Sequence, residues 1–290
     1  MGTFEKNCIF ASANIIFRMN AELITSLQNP KIKHLVQLQQ KSAVRREEGL
    51  FVVEGRRELM HCLDAGYEVD SVFTVSEEQG IEVLCKQSIQ IGNIPIIYNV
   101  SPKVYEKIAY RGSTEGIVAV VKARHRSLES LKELHEGKSP LYVVLESVEK
   151  PGNLGAVLRS ADAAGVSAVI VCDPLTDLYN PNLIRSSIGA VFTVPTVVCT
   201  SDDCISFFKE NGVQILTAQL QDSTLYYDQD MARPTAIVMG TEATGLTDVW
   251  RKAADAHIRI PMLGRLDSLN VSVSAAILMY EAVRQRKQQN

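Results

Sequence analysis

Short apolar runs alternate with helical segments through the second half of the chain, and this alternation restricts the folds that it can adopt. The runs predicted as strands are rich in β-branched residues and occupy positions 141–145, 168–172, 196–199, 214–217, 235–239 and 256–260. Helices are predicted at positions 153–164, 181–189, 203–210, 248–252 and 268–286. Strands this apolar are buried on both faces, which is typical of a mostly parallel sheet covered by helices. We therefore predict an α/β fold for this half.

The first half shows the same alternation less regularly, and we predict a smaller α/β domain there. A helical pattern over 22–46 is broken at Asn29-Pro30, and further helices are expected at 55–65 and 80–87. Short strands are expected at 50–53, 72–75, 95–98 and 116–121.

Two stretches set the predicted domain boundaries. Residues 1–18 contain a mildly apolar run that Asn14 interrupts, and they make a poor signal peptide. We predict that they form a disordered extension and that Met19 is the biological start. The polar stretch 127–139 is predicted to be a linker between a domain over 19–126 and a domain over 140–290.

The charge and the cysteines narrow the class of protein. The net charge is −3, but residues 30–58 and 103–126 carry local charges of +3 and +4. Such strips can bind phosphates, although solvated helix faces explain them equally well. Six cysteines without a CxxC pair indicate reduced thiols in a cytoplasm, and their spacing predicts no metal site. No stretch approaches the ~20 apolar residues of a membrane span.

A first candidate site lies in the segment 151–165. Arg159 shares a helix face with the small residues Gly155 and Ala163, which would leave room for a substrate beside the guanidinium. Pairing of Arg159 with a structural carboxylate is an equally good interpretation. Asn153, after Pro-Gly, could be a simple helix N-cap. The segment lacks the spacing of a dinucleotide phosphate loop, which disfavours a dehydrogenase.

Two further candidate segments follow in the last fifty residues. A strand ends at Met239 and enters a turn bracketed by Gly240 and Gly245, which carries the acid Glu242. Glycines there would let a ligand approach the backbone, although Glu242 could equally be a plain acid near a helix start.

The segment 260–274 begins with a loop that contains Ile260 and Met262 and leads into a closing helix, for which we predict Asp267 or Ser268 as N-cap. This helix is apolar on nearly every side over its first turns, which predicts that it is buried. Ser268 and Asn270 would then be buried polar groups that need partners, and neighbouring backbone could also supply these.

Taken together, the three segments resemble the signature motifs of the SpoU/TrmH-like RNA ribose 2′-O-methyltransferases of the SPOUT class. The matching phrases are Asn-Leu-Gly-x-x-x-Arg at 153–159 (motif 1), Gly-Thr-Glu-x-x-Gly at 240–245 (motif 2), and Ile-Pro-Met-x-Gly followed by Ser-Leu-Asn-Val-Ser-Val at 260–273 (motif 3). The phrases at 51–58 and 116–121 resemble, less specifically, the substrate-binding domain that many such enzymes carry.

The resemblance implies a sheet whose C-terminal strands form a trefoil knot, a feature too rare in proteins to predict from strand patterns. It implies S-adenosylmethionine (AdoMet) as cofactor, a homodimer, and motif 1 of one chain near the cofactor of the other. The positions that match the family's cofactor site, together with their neighbours in the motifs, are Met239, Gly240, Gly245, Ile260, Met262 and Leu269. The positions that match its catalytic site are Asn153, Arg159, Glu242, Ser268 and Asn270.

The implied reaction is methyl transfer to a ribose 2′-hydroxyl of structured RNA, with rRNA favoured over tRNA because a separate recognition domain is present. Arg159 would act either as a base, in an unusual deprotonated state, or by stabilising negative charge electrostatically. The second role is favoured because arginine stays protonated. Asn153 and Glu242 would position Arg159 and the ribose, and Ser268 and Asn270 would fix the loop and the hydroxyl. The alternatives are a tRNA 2′-O-methyltransferase and a non-catalytic RNA-binding assembly factor.

Overall fold

The computed structural model divides the chain into two compact units. The first comprises Met1–Arg124 and Tyr179–Arg185, and the second comprises His125–Leu178 and Ser186–Asn290. The structure describes residues 5–10, 15–76, 78, 80, 95–109, 115–134, 139–241, 244–265 and 268–287, and only the backbone for residues up to 22.

The first unit is built on a mixed sheet. Its strands are β1 (Glu5–Phe10), β2 (Ile15–Ile24), β3 (Leu50–Glu54), β4 (Val69–Thr74), β5 (Ile96–Val100) and β6 (Ile117–Lys122). Their order in the sheet is β1-β2-β5-β4-β6-β3. Its helices are α1 (Pro30–Gln40), α2 (Ser42–Glu48), α3 (Arg56–Asp64) and α4 (Pro102–Ile108). The helix expected at 80–87 lies mostly outside the described residues.

The start of the first unit differs from the sequence prediction. β1 and β2 pair in antiparallel fashion over residues predicted to be disordered, and β2 continues to Ile24, where a helix was predicted. The ladder satisfies backbone groups that a disordered segment would leave to water. Helix α1 begins only at Pro30, where Oδ1 of Asn29 accepts a hydrogen bond from N of Lys31 at 2.9 Å.

A segment distant in sequence completes the first unit. The ring of Tyr179 stacks on Phe51 of β3, with 4.2 Å between the ring centroids. The Tyr179 hydroxyl also accepts a hydrogen bond from N of Arg124 at 2.9 Å and donates one to the carbonyl oxygen of Arg124. Tyr179 therefore covers the core at the point where the chain leaves this unit.

The second unit contains a parallel sheet. Its strands are β7 (Leu141–Glu146), β8 (Ala168–Cys172), β9 (Thr196–Cys199), β10 (Gln214–Ala218), β11 (Thr224–Leu225), β12 (Thr235–Met239) and β13 (Ala256–Arg259). Their order is β11-β13-β10-β12-β7-β8-β9, and each neighbouring pair is parallel. The predicted α/β fold with a mostly parallel sheet is thereby confirmed. The implied knot stays a prediction.

The helices that accompany this sheet begin and end close to the predicted positions. In the second unit they are α5 (Ser130–Leu134), α6 (Pro151–Ala164), α8 (Ala190–Thr193), α9 (Ser201–Glu210), α10 (Asp248–Ala253) and α11 (Val271–Lys287). Helix α7 (Pro181–Ser186) belongs almost entirely to the first unit. Helix α5 lies within the predicted linker. The helix predicted over 181–189 ends at Ser186, and Gly189, with φ of +85°, precedes a separate helix, α8, that was not predicted.

Two helix starts in the second unit differ from the prediction. Helix α6 begins at Pro151, so Asn153 lies inside its first turn and does not cap it. Helix α11 begins at Val271, and Oδ1 of Asn270 accepts hydrogen bonds from N of Ser272 at 3.0 Å and from its Oγ at 2.6 Å. Asn270 thus takes the capping position predicted for Asp267 or Ser268; Asp267 lies outside the described residues.

The order of the strands determines where a ligand can bind. Strand β12 lies between β10 and β7, and β10 pairs on its other side with β13. The chain therefore leaves β12 at Met239 beside the carboxyl ends of β10 and β7. In open α/β sheets, ligands bind in the crevice at the carboxyl ends of the strands.

Among the described helices, none combines the length and the apolar character needed to span a bilayer.

Candidate active site

A cavity of about 400 Å³ lies at the carboxyl ends of β10, β12 and β13. Its walls are the segments that follow these three strands, together with the start of helix α11. All six residues predicted to bind the cofactor line this cavity: Met239, Gly240, Gly245, Ile260, Met262 and Leu269. The structure therefore brings the second and third candidate segments together around one space.

The turn after β12 depends on Gly240. A Cβ atom at this position would lie 2.2 Å from the carbonyl carbon of Gly245 and 2.4 Å from N of Leu246, distances that real Cβ contacts do not reach. The turn is closed by hydrogen bonds between Thr241 and Gly245, at 3.3 and 3.1 Å, and Gly245 has a φ of +70°. The glycine is required because the chain folds back onto itself.

A buried carboxylate holds the far end of this turn. Glu146, the last residue of β7, is only 4% exposed. Its Oε2 accepts a hydrogen bond from N of Thr247 at 2.9 Å, and its Oε1 accepts one from Oγ1 of Thr247 at 2.6 Å. Sequence reasoning missed Glu146; the available signal was an acid that ends an otherwise apolar strand at the edge where ligands bind.

A second cavity of about 220 Å³ adjoins the first and connects it to motif 1. It is lined by residues 145–150 and by Asn153, and it shares Gly240, Thr241 and Val271 with the first cavity. Because the shared residues form a common wall, ligands in the two spaces would lie side by side.

Two asparagines join motif 1 to motif 3 beside this common wall. Nδ2 of Asn270 donates a hydrogen bond to Oδ1 of Asn153 at 3.2 Å. Asn270 is exposed and Asn153 half-buried, so both remain accessible to a ligand. The prediction that Ser268 and Asn270 are buried is wrong, because α11 begins later than predicted and both lie in the exposed segment before it.

The other predicted catalytic residues that the structure describes do not line the smaller cavity with Asn153. Arg159 is exposed on α6 and lines neither cavity. Gly155 does not leave room for a substrate beside it, since a Cβ there would lie 1.9 Å from Oγ of Ser186 and 2.9 Å from N of Ser187. Ser268 lines the larger cavity. Glu242 lies outside the described residues.

Two arginines that the sequence did not single out line the larger cavity. They are Arg251, on α10, and Arg259, at the end of β13. The side chain of Arg251 is 41% exposed and lies 3.9 Å from Asp248, while Nη1 of Arg259 donates to Oγ of Ser223 at 3.4 Å. Guanidinium groups offer several N–H donors and no acceptor, so this wall favours a negatively charged ligand group.

Comparison with known proteins agrees with this geometry. Residues 140–280 match the SpoU rRNA Methylase family, and residues 29–119 match the MRM3-like substrate binding domain. The chain is 35% identical, over 195 residues, to the 23S rRNA (guanosine-2′-O-)-methyltransferase RlmB of Vibrio parahaemolyticus. The match covers 66% of this chain and 78% of the relative.

Solved structures show the same architecture. A crystal structure of an RNA 2′-O ribose methyltransferase superposes with a TM-score of 0.74 at 36% identity, covering 92% of this chain and 100% of the other. The AdoMet-bound rRNA methyltransferase from Sinorhizobium meliloti gives a TM-score of 0.80 at 31% identity, covering 91% and 97%.

The second unit has a parallel sheet with a cavity at the carboxyl ends of β10, β12 and β13, and residues of the second and third motifs line this cavity. Together with the family match, this arrangement defines a methyltransferase of the SPOUT type. The chain belongs to the SpoU rRNA methylase family and is an AdoMet-dependent RNA methyltransferase, with an MRM3-like substrate-binding domain in its N-terminal half. The family resemblance seen in its motifs is thereby confirmed.

Proposed function

We propose that the enzyme methylates the ribose 2′-hydroxyl of a nucleotide in structured RNA, and that this RNA is ribosomal. The observation that carries the proposal is the Asn153–Asn270 hydrogen bond, which joins two motifs at the wall shared by two cavities. Support also comes from relatives that are named as rRNA and ribose 2′-O-methyltransferases.

The larger cavity is the proposed cofactor site. Its volume of about 400 Å³ lies within the range of ~300–1,000 Å³ that is usual for small-molecule sites. Backbone groups around Gly240, Ile260 and Leu269 would hold the nucleoside part of AdoMet. Arg251 and Arg259 suit its carboxylate. When bound, the cofactor supplies an electrophilic methyl group.

The smaller cavity is the proposed place for the ribose. Asn153 and Lys150 line this cavity, and Asn270 is hydrogen-bonded to Asn153 beside it. The amide of Asn153 can donate and accept hydrogen bonds, and Lys150 can contact a phosphate. The 2′-hydroxyl would be a poor nucleophile until it gave up its proton, here to solvent. Positioning of the ribose beside the cofactor space would supply much of the rate enhancement. Ser268, which lines the neighbouring cavity, is proposed to fix the loop.

Arg159 would stabilise the developing negative charge on the ribose oxygen or the adjacent phosphate. Because it lines neither cavity of its own chain, we propose that it acts in a homodimer, at the site of the other chain. Exposed apolar residues on and before α11 support such pairing: Leu269, Val273 and Tyr280 are 40%, 47% and 50% exposed. Val273 and Tyr280, two turns apart, share one face of the helix.

The first unit would bind the RNA. Lys33, Lys41 and Arg46 of the predicted basic strip are exposed, which suits contacts with phosphates. Arg45 does not belong to this surface, because it is buried and its Nη1 donates to the carbonyl oxygens of Leu38 and Gln39 at 2.6 and 3.1 Å. A cytoplasmic location, where such RNA is found, stays a prediction.

The decisive experiment is to map 2′-O-methyl groups in total RNA from a deletion strain and from its parent. We expect one rRNA position to lose its methyl group, and purified enzyme with AdoMet to restore it on rRNA from the deletion strain. Loss of a tRNA methyl group would favour the tRNA alternative. An unchanged methylation map, together with AdoMet binding too weak to measure, would favour the non-catalytic assembly factor.

A further inference from the structure

Three cysteine thiols lie together at the carboxyl-end edge of the sheet in the second unit. Cys172 is the last residue of β8, Cys199 is the last residue of β9, and Cys204 lies on α9. Their Sγ atoms all lie within 4.8 Å of one another, with 3.9 Å between Cys172 and Cys199. None of them lines either of the cavities described above.

These distances suit coordination of a single metal ion. Zn²⁺ binds thiolate sulfur at ~2.3 Å in a tetrahedral arrangement, which places two ligand sulfurs ~3.8 Å apart. The Sγ atoms of Cys172 and Cys199 already have this separation. Their backbones are register partners in neighbouring parallel strands, so the pair is held by the sheet. Cys204 needs to approach them by no more than ~1 Å.

Hydrogen bonds fix the three segments that carry the thiols. The carboxylate of Asp173, directly after Cys172, accepts from N of Ser201 at 3.1 Å and from its Oγ at 2.7 Å. Nε1 of the buried Trp250 donates to the same Oγ at 2.9 Å. Ser201 begins α9, the helix that carries Cys204. N of Asp173 also donates to the carbonyl oxygen of Cys199 at 3.1 Å, so this network holds the ends of β8 and β9 and the start of α9 in one arrangement.

Accessibility differs among the three thiols in a way that allows an ion to enter. Cys172 and Cys204 are fully buried, whereas Cys199 is partly exposed. An ion could therefore arrive from the side of Cys199, and a water molecule could complete its coordination there. The sequence predicted no metal site because Cys172 lies 27 positions before Cys199 and no CxxC pair is present, although Cys172 and Cys199 end adjacent predicted strands.

We propose that Cys172, Cys199 and Cys204 form a binding site for a thiophilic metal ion, with Zn²⁺ as the reference ion. Binding replaces the proton of each of the three thiols by a bond to the metal and releases these protons to solvent, so affinity rises with pH. The site lies apart from both cavities of the catalytic site. Its occupation is expected to stabilise the fold without taking part in methyl transfer.

The test is a titration of the reduced, metal-free, full-length protein with Co²⁺, followed by Zn²⁺. We expect one Co²⁺ per chain, with a sulfur-to-cobalt charge-transfer band that Zn²⁺ abolishes. Cys199→Ala should weaken binding by at least the ~10–100-fold that loss of an outer-shell partner typically costs. The matched control is Cys62→Ala, which removes a buried thiol of the first unit and should leave the titration unchanged.

A second measurement needs no variant and covers the case in which Cys199→Ala does not fold. Alkylation of Cys199 in the wild-type protein, followed by mass spectrometry, should be slowed by stoichiometric Zn²⁺. The proposal is overturned if the wild-type protein shows no charge-transfer band, if folded Cys199→Ala retains it, or if Zn²⁺ gives Cys199 no protection. In each case the cluster only packs the core.

Discussion

The side chain of Asn270 donates a hydrogen bond to Oδ1 of Asn153 at 3.2 Å, although 117 positions separate the two residues. One residue lies in the first turn of α6 and the other caps α11. The contact fixes motif 1 relative to motif 3 at the wall shared by the two cavities.

Asn153→Ala should impair catalysis more than cofactor binding. The change removes the acceptor of the Asn270 side chain and one polar group from the smaller cavity. We expect kcat to fall by ~10–100-fold, as for the loss of a group that positions reactants, with the Kd for AdoMet changed less than threefold. Kinetics with saturating rRNA and calorimetric titration of AdoMet measure the two quantities. A comparable loss of AdoMet affinity would contradict the proposed ribose site.

Gly240→Ala should destabilise the turn that forms the cofactor cavity. The added methyl group would collide with the backbone of Gly245 and Leu246, so the turn must open. We expect a lower Tm and AdoMet affinity weakened by tenfold or more, a loss of ~1.4 kcal/mol. Gly152→Ala is the matched control, because no atom lies within 4 Å of its added Cβ. Equal behaviour of the two variants would refute the steric explanation.

Glu146→Ala should cost more stability than Glu146→Gln. Alanine leaves N and Oγ1 of Thr247 without their acceptors, whereas glutamine keeps one acceptor oxygen. Breaking hydrogen bonds to a buried charged group typically costs ~1.5–3 kcal/mol, so we expect a loss of that size for alanine. Urea denaturation followed by circular dichroism gives the free energy of unfolding. Identical values for the two variants would show that Glu146 does not anchor Thr247.

Arg159→Ala should abolish methyl transfer while the Kd for AdoMet stays within a few-fold of the wild type. Arg159 is exposed and lines neither cavity, so its loss should not disturb the cofactor site. Lys252→Ala, which removes another exposed cation, is the control and should retain activity. Mixing Arg159→Ala with a folded variant impaired in AdoMet binding tests action between chains, since heterodimers should regain activity. Unchanged turnover of Arg159→Ala would remove this residue from the mechanism.

The strand pattern predicted the parallel sheet because its runs are apolar on both faces, as in a parallel sheet that helices cover on both sides. It also predicted the strand ends at Met239 and Cys172. The N-terminal strands β1 and β2 were missed because a short, weakly apolar run acquires strand structure only through its pairing partner.

The site was partly predictable for a related reason. The residues that line the cofactor cavity lie in short motifs, and such motifs can be recognised in a sequence even when they are far apart. Glu146 was not predicted because its hydrogen-bond partner, Thr247, lies 101 positions away in the sequence. Arg251 and Arg259 were not predicted because they reach the cavity only once the segments around it have folded together. The start of α11 was misplaced because apolar composition alone does not reveal which residue accepts the first backbone hydrogen bonds.

The return of Tyr179 to the first unit has a consequence for anyone dividing the chain. A fragment that stops at Arg124 would expose the ring of Phe51 and leave the backbone of Arg124 without the Tyr179 hydroxyl. Such a truncation should therefore melt earlier than the same unit within the full-length protein, and thermal scans of both would reveal the difference. Cutting between neighbouring domains is safe only where the polypeptide crosses once; here it crosses, comes back and crosses again.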